Sequence, residues 1–308
     1  MRRVFAVLGA IAMVAVALVA RSAIDDDADD DRSGGDGEVV LACDAELSDV
    51  CEALSGVTVV VADSACTSAA IMDRSDQQPD LWLTSSAWYE VTAGRAEGAI
   101  DAAGAVATTR VVTAVVADRA SALEALCASS SLWRCLGDNA GASWEELGGS
   151  SLWGTLRTGL PDADTATGLG VLVAVAIGHF DGTDFATNDF DATRFPTWLG
   201  RLADPAGDGD ADPAATLYGR PGTYSAAGTS EARLDHIGRS ATALVPEPVV
   251  DLDLVLVSLD GGFPTELAAD LTQLLVDAEW QPASGLPQEL LKAGVTGALH
   301  DLWKDVTR

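Results

Sequence analysis

Short β-branched runs alternate with stretches of helical spacing after residue 38. Strands are predicted at residues 39–42, 57–62 and 79–83, and helices at residues 45–54 and 68–73. In the first of these helices the apolar side chains recur at helical spacing, at Leu47, Val50 and Leu54. The order strand, helix, strand, helix, strand is typical of a parallel sheet covered by helices on both faces.

The second half of the chain continues with strands and helices but shows no internal repeat. Ser143 and Glu146 have the spacing of a capping box, so a helix is expected at 143–147. Residues 181–216 predict helix fragments and surface loops around Trp198. Further strands are predicted at 111–117, 156–160, 242–246 and 249–259, and further helices at 119–127, 169–177, 266–277 and 288–293.

An uncharged, almost wholly apolar run from Val4 to Ala20 follows Arg2 and Arg3. Such a run is typical of a signal peptide or a transmembrane signal anchor, and the basic start directs the rest of the chain outward. We therefore expect an exported protein, either secreted or held in the cell membrane through residues 1–24 alone. Residues 25–37, rich in Asp and Gly, predict a self-repelling tether.

The chain is strongly acidic, with 47 Asp and Glu against 18 Lys and Arg and a formal net charge of −29. This field repels phosphate backbones and anionic lipid headgroups, so a nucleic-acid partner is excluded. Hydrophobic residues make up 48 % of the 308 residues, which is too many for a disordered acidic tail. Composition therefore indicates a folded domain.

Five cysteines in an exported chain favour disulfides over a metal site, since no Cys-x-x-Cys spacing occurs. Cys127 and Cys135 bracket a short Ser-rich segment and are predicted to pair. Cys43, Cys51 and Cys66 can form one more bridge and leave one thiol, and the sequence does not choose among them.

Small hydroxyl residues follow each of the first predicted strands. Asp44 follows the first strand, Ser64 to Ser68 the second, and Ser85 with Ser86 the third. In open parallel sheets, ligands bind at the carboxyl ends of the strands, where helix N-termini point into a crevice. Ordinary helix N-capping uses the same residue types, so both interpretations stay open at each corner.

Three segments carry a resemblance to a known family. Residues 79–88 (Pro-Asp-Leu-Trp-Leu-Thr-Ser-Ser-Ala-Trp) resemble the extracellular solute-binding proteins of ABC importers. Residues 39–54 look like their first strand and helix, and residues 156–170 are similar to the strand and small-residue loop of their second lobe. More narrowly, these segments look like the substrate-binding domain often joined to a von Willebrand factor A domain in high-GC Gram-positive bacteria.

That resemblance implies an α/β fold of the type 2 periplasmic-binding class. Two lobes, each a mostly parallel sheet flanked by helices, would close on a ligand. The first lobe would comprise residues 38–111 and 250–308, and the second lobe residues 112–249. The strands at 111–117 and 249–259 would carry the hinge.

By the same resemblance, ligand contacts are expected from the βα corners of both lobes. They would come from Asp44, Ala45, Ser64, Thr67, Ser68, Ser85 and Ser86 in the first lobe, and from Thr165, Ala166, Thr167, Gly168 and Tyr224 in the second. Oxyanion-binding relatives use hydroxyls and backbone amides, which suits a chain with two lysines. Asp44 would repel an oxyanion unless it caps a helix, or it could select a cationic or polyhydroxylated ligand.

We expect a solute-binding protein that traps a small molecule without chemistry, with an ABC transporter permease as a candidate partner. A cell-surface interaction module of the same fold, without a small ligand, is the alternative. An exported hydrolase is less favoured. The three histidines form no His-x-x-x-His pattern, and the sequence contains no Gly-x-Ser-x-Gly motif around a nucleophilic serine. No cofactor or metal is expected. The alternating carboxylates that begin at Asp208 have the spacing of a calcium loop, but Pro213 stands where such a loop requires glycine.

Overall fold

The computed structural model describes residues 39–96, 98–192, 194–203, 212–220, 222–237, 241–259, 261–287 and 289–307. The predicted N-terminal apolar run, the acidic tether and most of the Asp-rich loop after Ala203 lie outside these residues. Within the described ranges, no helix is both long enough and apolar enough to cross a bilayer.

The sheet of the first lobe has the strand order β2-β1-β3-β8-β4. Strand β1 (Val39–Cys43) pairs in parallel with β2 (Val57–Val61) and with β3 (Leu81–Ser85). Strand β8 (Asp251–Ser258) runs antiparallel to both of its neighbours, β3 and β4 (Ala102–Val116). The carboxyl ends of β1, β2 and β3 therefore lie at one edge of the sheet.

The sheet of the second lobe is built on the end of β4. This part of β4 pairs antiparallel with β6 (Ala226–Ser230) and β7 (Ala241–Leu244), and β5 (Thr158–Gly159) lies parallel to β6. Strand β9 (Gln281–Pro282) adds a short pairing to the first half of β4. The predicted strand at 156–160 is thus shortened to two residues.

Strand β4 belongs to both sheets. Its residues 102–110 pair with β8, whereas residues 111–116 pair with β6 and β7. The backbone N–H of Val111 donates to the carbonyl oxygen of Val250 at 2.9 Å, so the outgoing and returning segments lie side by side. The sequence predicted only the second half of β4, because the first half consists mainly of Ala, Gly and Thr.

The described residues contain twelve helices. Short 3-10 turns at Ala45–Leu47 and Ser151–Trp153 accompany them. The helices are α1 (Ser48–Glu52), α2 (Ser64–Met72), α3 (Ser86–Arg95), α4 (Ala117–Cys127), α5 (Leu132–Asp138), α6 (Ala166–Phe180), α7 (Thr187–Ala192), α8 (Phe195–Leu202), α9 (Pro213–Gly219), α10 (Glu231–Ile237), α11 (Thr265–Asp277) and α12 (Ala293–Thr307).

Helix α6 forms the centre of the core. All of its residues from Ala166 to His179 are buried, because the sequence is apolar on every face of the helix. A second, smaller core lies in the second lobe and includes Val112, Leu217 and Tyr224. The N-terminus of α6 is therefore fixed by packing along the whole helix, and this rigidity matters for the site described below.

Two predicted helices are wrong. Ser143 and Glu146 do exchange the hydrogen bonds of a capping box, with both backbone N–H donors 3.2 Å from the partner side chain. The segment is nevertheless a turn, which ends at Gly148 with a φ of +84°. Residues 289–292 are not helical, since the C-terminal helix begins at Ala293 and buries Val295, Leu299 and Trp303 at helical spacing.

Two disulfides close short loops of the chain. One joins Cys127 to Cys135, and the other joins Cys43 to Cys51, which leaves Cys66 free and exposed. The Cys43–Cys51 bond closes the segment that contains Asp44 and the turn after it. This segment is therefore tied at both ends.

Both disulfides span a sequence separation of 8, which makes them a matched pair. Replacing Cys43 and Cys51 by Ala should lower the free energy of unfolding by roughly 2.5 kcal/mol, because the reduced chain regains loop entropy when it unfolds. Replacing Cys127 and Cys135 by Ala should have a similar effect. Urea denaturation of the two double variants measures both losses, and a variant as stable as the wild type would contradict the expectation.

Candidate functional site

Asp44 lies at the edge where the parallel strands of the first lobe end. It follows β1 directly, its side chain is fully buried, and its carboxylate faces the N-terminus of α2. Ser64 donates to it twice, from the backbone N–H to Oδ1 at 2.8 Å and from the hydroxyl to Oδ2 at 2.5 Å. Asp44 therefore caps the neighbouring helix of its own lobe.

The same carboxylate also reaches the second lobe. The backbone N–H of Ala166, at the start of α6, donates to Asp44 Oδ2 at 3.1 Å. The next backbone N–H, of Thr167, donates to Glu46 Oε1 at 2.8 Å. Two carboxylates of the first lobe thus occupy N–H groups that a helix leaves without internal partners.

The turn before α6 is shaped to present these N–H groups. Thr165 is the N-cap, and its hydroxyl accepts from the N–H of Gly168 at 3.0 Å. A Cβ atom on Gly168 would lie 1.8 Å from the carbonyl oxygen of Asp162, so only glycine fits here. The small-residue loop noted in the sequence is therefore required by the close approach of two backbone segments.

Burial, together with the nearby negative charge of Glu46, raises the pKa of Asp44 to about 7. The hydrogen bonds from Ser64 and Ala166 act in the opposite direction, because they stabilise the ionised form. Desolvation prevails, so Asp44 exchanges its proton close to neutral pH.

The other hydroxyl residues predicted as ligand contacts in the first lobe are buried, and several form hydrogen bonds within that lobe. Ser64 shares a hydrogen bond of 2.7 Å with Thr84, and Ser68 shares one of 2.7 Å with Thr92. Ser85 caps α3 by accepting from the N–H of Trp88 at 3.5 Å. Thr67 and Ser86 are also buried. Ser68 and Ser85 thus serve helix packing and capping rather than contacting Asp44.

A second set of contacts joins the lobes at the loop before α6. The carbonyl oxygen of Asp164 accepts from the backbone N–H of Ala65 at 3.0 Å, and Trp88 Nε1 donates to the carbonyl oxygen of Thr165 at 3.0 Å. The Asp164 side chain lies 2.7 Å from His300 Nε2 and 3.1 Å from Lys304 Nζ on α12. The loop of the second lobe is therefore clasped by groups of the first.

The contacts with His300 and Lys304 lower the pKa of Asp164. Burial alone would raise it, but the hydrogen bonds and positive charges of His300 and Lys304 prevail. The His300 ring also packs edge-on against Trp88, with ring centroids 4.7 Å apart. Trp82 and Trp88, the two tryptophans of the segment 79–88, are both buried, and Trp88 contributes a polar contact as well.

Two of the predicted ligand residues have other surroundings. Ala45 is exposed, and Tyr224 packs in the small core of the second lobe, beside Gly159. Sequence reasoning missed Glu46, Asp164 and His300. The one signal available was the position of Glu46, which lies one residue beyond the predicted Asp44-Ala45 corner.

A cavity of about 90 Å³ remains between the lobes, beside Glu46. Its walls include Asp49 and Trp280 from the first lobe, and Thr167 and His236 from the second. Among the described residues, no His is hydrogen-bonded to a Ser, Thr or Cys side chain, and no group of three His, Cys, Asp or Glu could hold a metal ion.

Comparison with known proteins gives structural matches only. No protein-family model matches the chain, and no curated protein matches it. The periplasmic binding protein P5PA aligns with a TM-score of 0.56 at 14 % identity, covering 88 % of this chain and 100 % of that one.

Two further solved structures align to a similar extent. An ABC transporter protein from Clostridium perfringens gives a TM-score of 0.51 at 13 % identity, with 88 % and 100 % of the two chains covered. The periplasmic binding protein AgtB from A. tumefaciens R10, solved with agropinic acid, gives 0.51 at 13 % identity, with 88 % and 96 % covered. At such identities the likeness concerns architecture alone: the chain has the two-lobed α/β fold of the periplasmic binding proteins.

Proposed function

We propose that the protein is an exported solute-binding protein that captures a small ligand between its two lobes without transforming it. One observation carries the proposal: N–H groups at the helix starts of both lobes, Ser64 on α2 and Ala166 on α6, converge on a single carboxylate. Helix N-termini carry partial positive charge and bind anionic or polar groups. A group held by both helices keeps the lobes together, as a trapped ligand would.

In this chain Asp44 takes the position that links the two helix starts. The lobes therefore meet through the protein's own groups, and an external ligand either lies beside Asp44 or displaces it. The buried carboxylate with its neighbour Glu46 disfavours an oxyanion at this point, because like charges at short distance repel strongly where water is excluded. The ligand is accordingly proposed to bind in the space that Asp44 and Glu46 leave open.

Export and membrane attachment belong to the same proposal. The apolar run before residue 24 would act as a signal peptide or as an anchor in the cell membrane, and an ABC transporter permease would receive the ligand. The Cys43–Cys51 and Cys127–Cys135 disulfides support an oxidising compartment outside the cytoplasm.

An interaction module without a small ligand is the second candidate. The observation that favours it is the number of contacts that the chain itself makes across the lobes: Asp44 with Ala166, Glu46 with Thr167, Ala65 with Asp164, Trp88 with Thr165, and His300 with Asp164. If these contacts hold the lobes permanently shut, the protein presents a fixed surface. Ligand binding is the property that separates the two candidates.

A thermal-shift screen of cations, anions, sugars and amino acids tests the proposed function directly. A ligand present at a hundred times its dissociation constant should stabilise the folded protein by about 2.7 kcal/mol, because it binds only the folded form. We expect at least one class to raise Tm in a saturable way. If no class raises Tm, the interaction module replaces the solute-binding proposal.

The stability of the protein should depend on pH through Asp44. Its pKa is raised from 3.8 to about 7 in the folded protein, so the folded form retains a proton that the unfolded chain releases. Its contribution to stability is therefore fully present below about pH 4 and is lost as the pH rises through 7. The slope cannot exceed about 1.4 kcal/mol per pH unit for one group.

Asp44→Asn removes this titration. Its amide oxygen can accept from the Ser64 hydroxyl and from Ala166, as Oδ2 does, while the amide nitrogen replaces Oδ1, the acceptor of the Ser64 N–H. The free energy of unfolding of the wild type, relative to Asp44→Asn, should fall between pH 4 and pH 7. Asp164 titrates in both proteins and cancels in this difference. Asp76→Asn, which removes an exposed carboxylate, is the matched control. A difference between wild type and Asp44→Asn that stays constant over this range would show that Asp44 is not the titrating group.

A further inference from the structure

The cavity beside Glu46 has walls from both lobes. Glu46, Asp49 and Trp280 come from the first lobe, and Thr167, Ser230 and His236 come from the second. A molecule in this cavity would therefore touch the two lobes at once. Its volume of about 90 Å³ is far below that of pockets for drug-sized molecules, so the occupant has few heavy atoms.

The charge at this cavity is predominantly negative. Glu46 accepts hydrogen bonds from the backbone N–H and from the side chain of Thr167, and a carboxylate has the capacity to accept more. Asp49 is exposed and lines the same cavity. Burial raises the pKa of Glu46, and the positive charge of Arg233, which also lines the cavity, opposes this rise and favours the ionised carboxylate. Arg233 Nε and Nη2 also lie 3.0 Å and 2.5 Å from Asp212 Oδ2, so a carboxylate partly balances the charge of Arg233.

The apolar part of the wall is aromatic. Trp280 lines the cavity and is 8 % exposed, which holds its ring in a fixed position. Trp is the aromatic side chain that attracts an organic cation most strongly, through the negative face of its ring. Leu47 and Ala232 complete an apolar floor. Carboxylates together with an indole and small apolar side chains make a surface that suits an alkylated ammonium group.

We propose that the ligand held between the lobes is a small organic cation, an amine or quaternary ammonium compound, bound by Glu46, Asp49 and Trp280. This inference rests on the proposed solute-binding function and names the class of solute. The position that an anion would need, at the N-terminus of α6, is filled by Asp44 and Glu46. Among the described residues, the walls of the cavity beside Glu46 have a chemistry that favours positive charge.

Isothermal titration calorimetry and thermal shift with choline and ethylammonium test the proposal. The uncharged carbon analogue of choline, dimethylbutanol, matches its shape and lacks its charge. We expect saturable binding of at least one cation and binding at least tenfold weaker for dimethylbutanol. Equal binding of choline and dimethylbutanol would overturn the proposal, since shape alone would then account for it.

Substitutions locate the site. Glu46→Gln combined with Asp49→Asn should weaken cation binding at least tenfold, and Trp280→Phe, which keeps an aromatic ring and so protects the fold, should weaken it several-fold. Glu52→Gln removes a carboxylate from the exposed surface of the same helix as Asp49 and should leave binding unchanged. Full cation affinity in the Glu46→Gln/Asp49→Asn variant would overturn the assignment of the site.

The outcomes also separate the two proposals. If an anion, a sugar or a neutral compound raises Tm while cations do not, the cation class is wrong and the solute-binding function stands. If no compound of any class binds, both the class and the solute-binding function are wrong.

Discussion

The arrangement of the two lobes depends on one buried carboxylate. Removing an ionisable side chain from water is costly unless hydrogen-bond donors replace the solvent. Asp44 obtains those donors from Ser64 in its own lobe and from Ala166 in the other. Because neither lobe alone supplies all of these donors, the hydrogen bonds of Asp44 are complete only when the two lobes are together.

The surrounding structure fixes the parts that meet at Asp44. The disulfide from Cys43 to Cys51 ties the segment that carries Asp44 and Glu46, and burial of α6 along its length fixes the N–H groups of Ala166 and Thr167. Gly168 allows the preceding turn to approach the helix closely. The clasp of Asp164 by His300 and Lys304 adds a second point of attachment on the same loop.

Local patterns in the sequence predicted those elements whose own residues determine them. Strands β1, β2 and β3 have β-branched or apolar runs, and α6 is almost continuously apolar. The sequence therefore predicted all four elements. Strand β6 reads Ala-Ala-Gly-Thr-Ser and the first half of β4 is equally small, so neither carries the side chains that favour a strand. Packing in the folded protein makes them strands. At Ser143 the reverse occurs, since the capping bonds form without a helix.

The candidate site, like the fold, could be predicted from the sequence only where neighbouring residues determine it. Asp44, Ser64 and the residues from Thr165 to Gly168 follow or precede regular elements, and their position indicated the edge at which they meet. Their partners Glu46, Asp164 and His300 could not be inferred, because the pairs are separated by 121 residues for Glu46 and Thr167 and 136 for Asp164 and His300. The sequence also left open whether Asp44 caps a helix, and in the structure it accepts hydrogen bonds at the starts of two helices, from Ser64 and Ala166.

The distance between the lobes tests the central role of Asp44 most directly. Spin labels on cysteines introduced at Asp76 and Glu145, exposed positions in the first and second lobes, report that distance by double electron–electron resonance in a Cys66→Ser background. With Asp44 intact and no ligand added, we expect one narrow distance distribution. In Asp44→Ala a second, longer distance should appear. Identical distributions in the two proteins would contradict the account, because the lobes would then meet without the carboxylate.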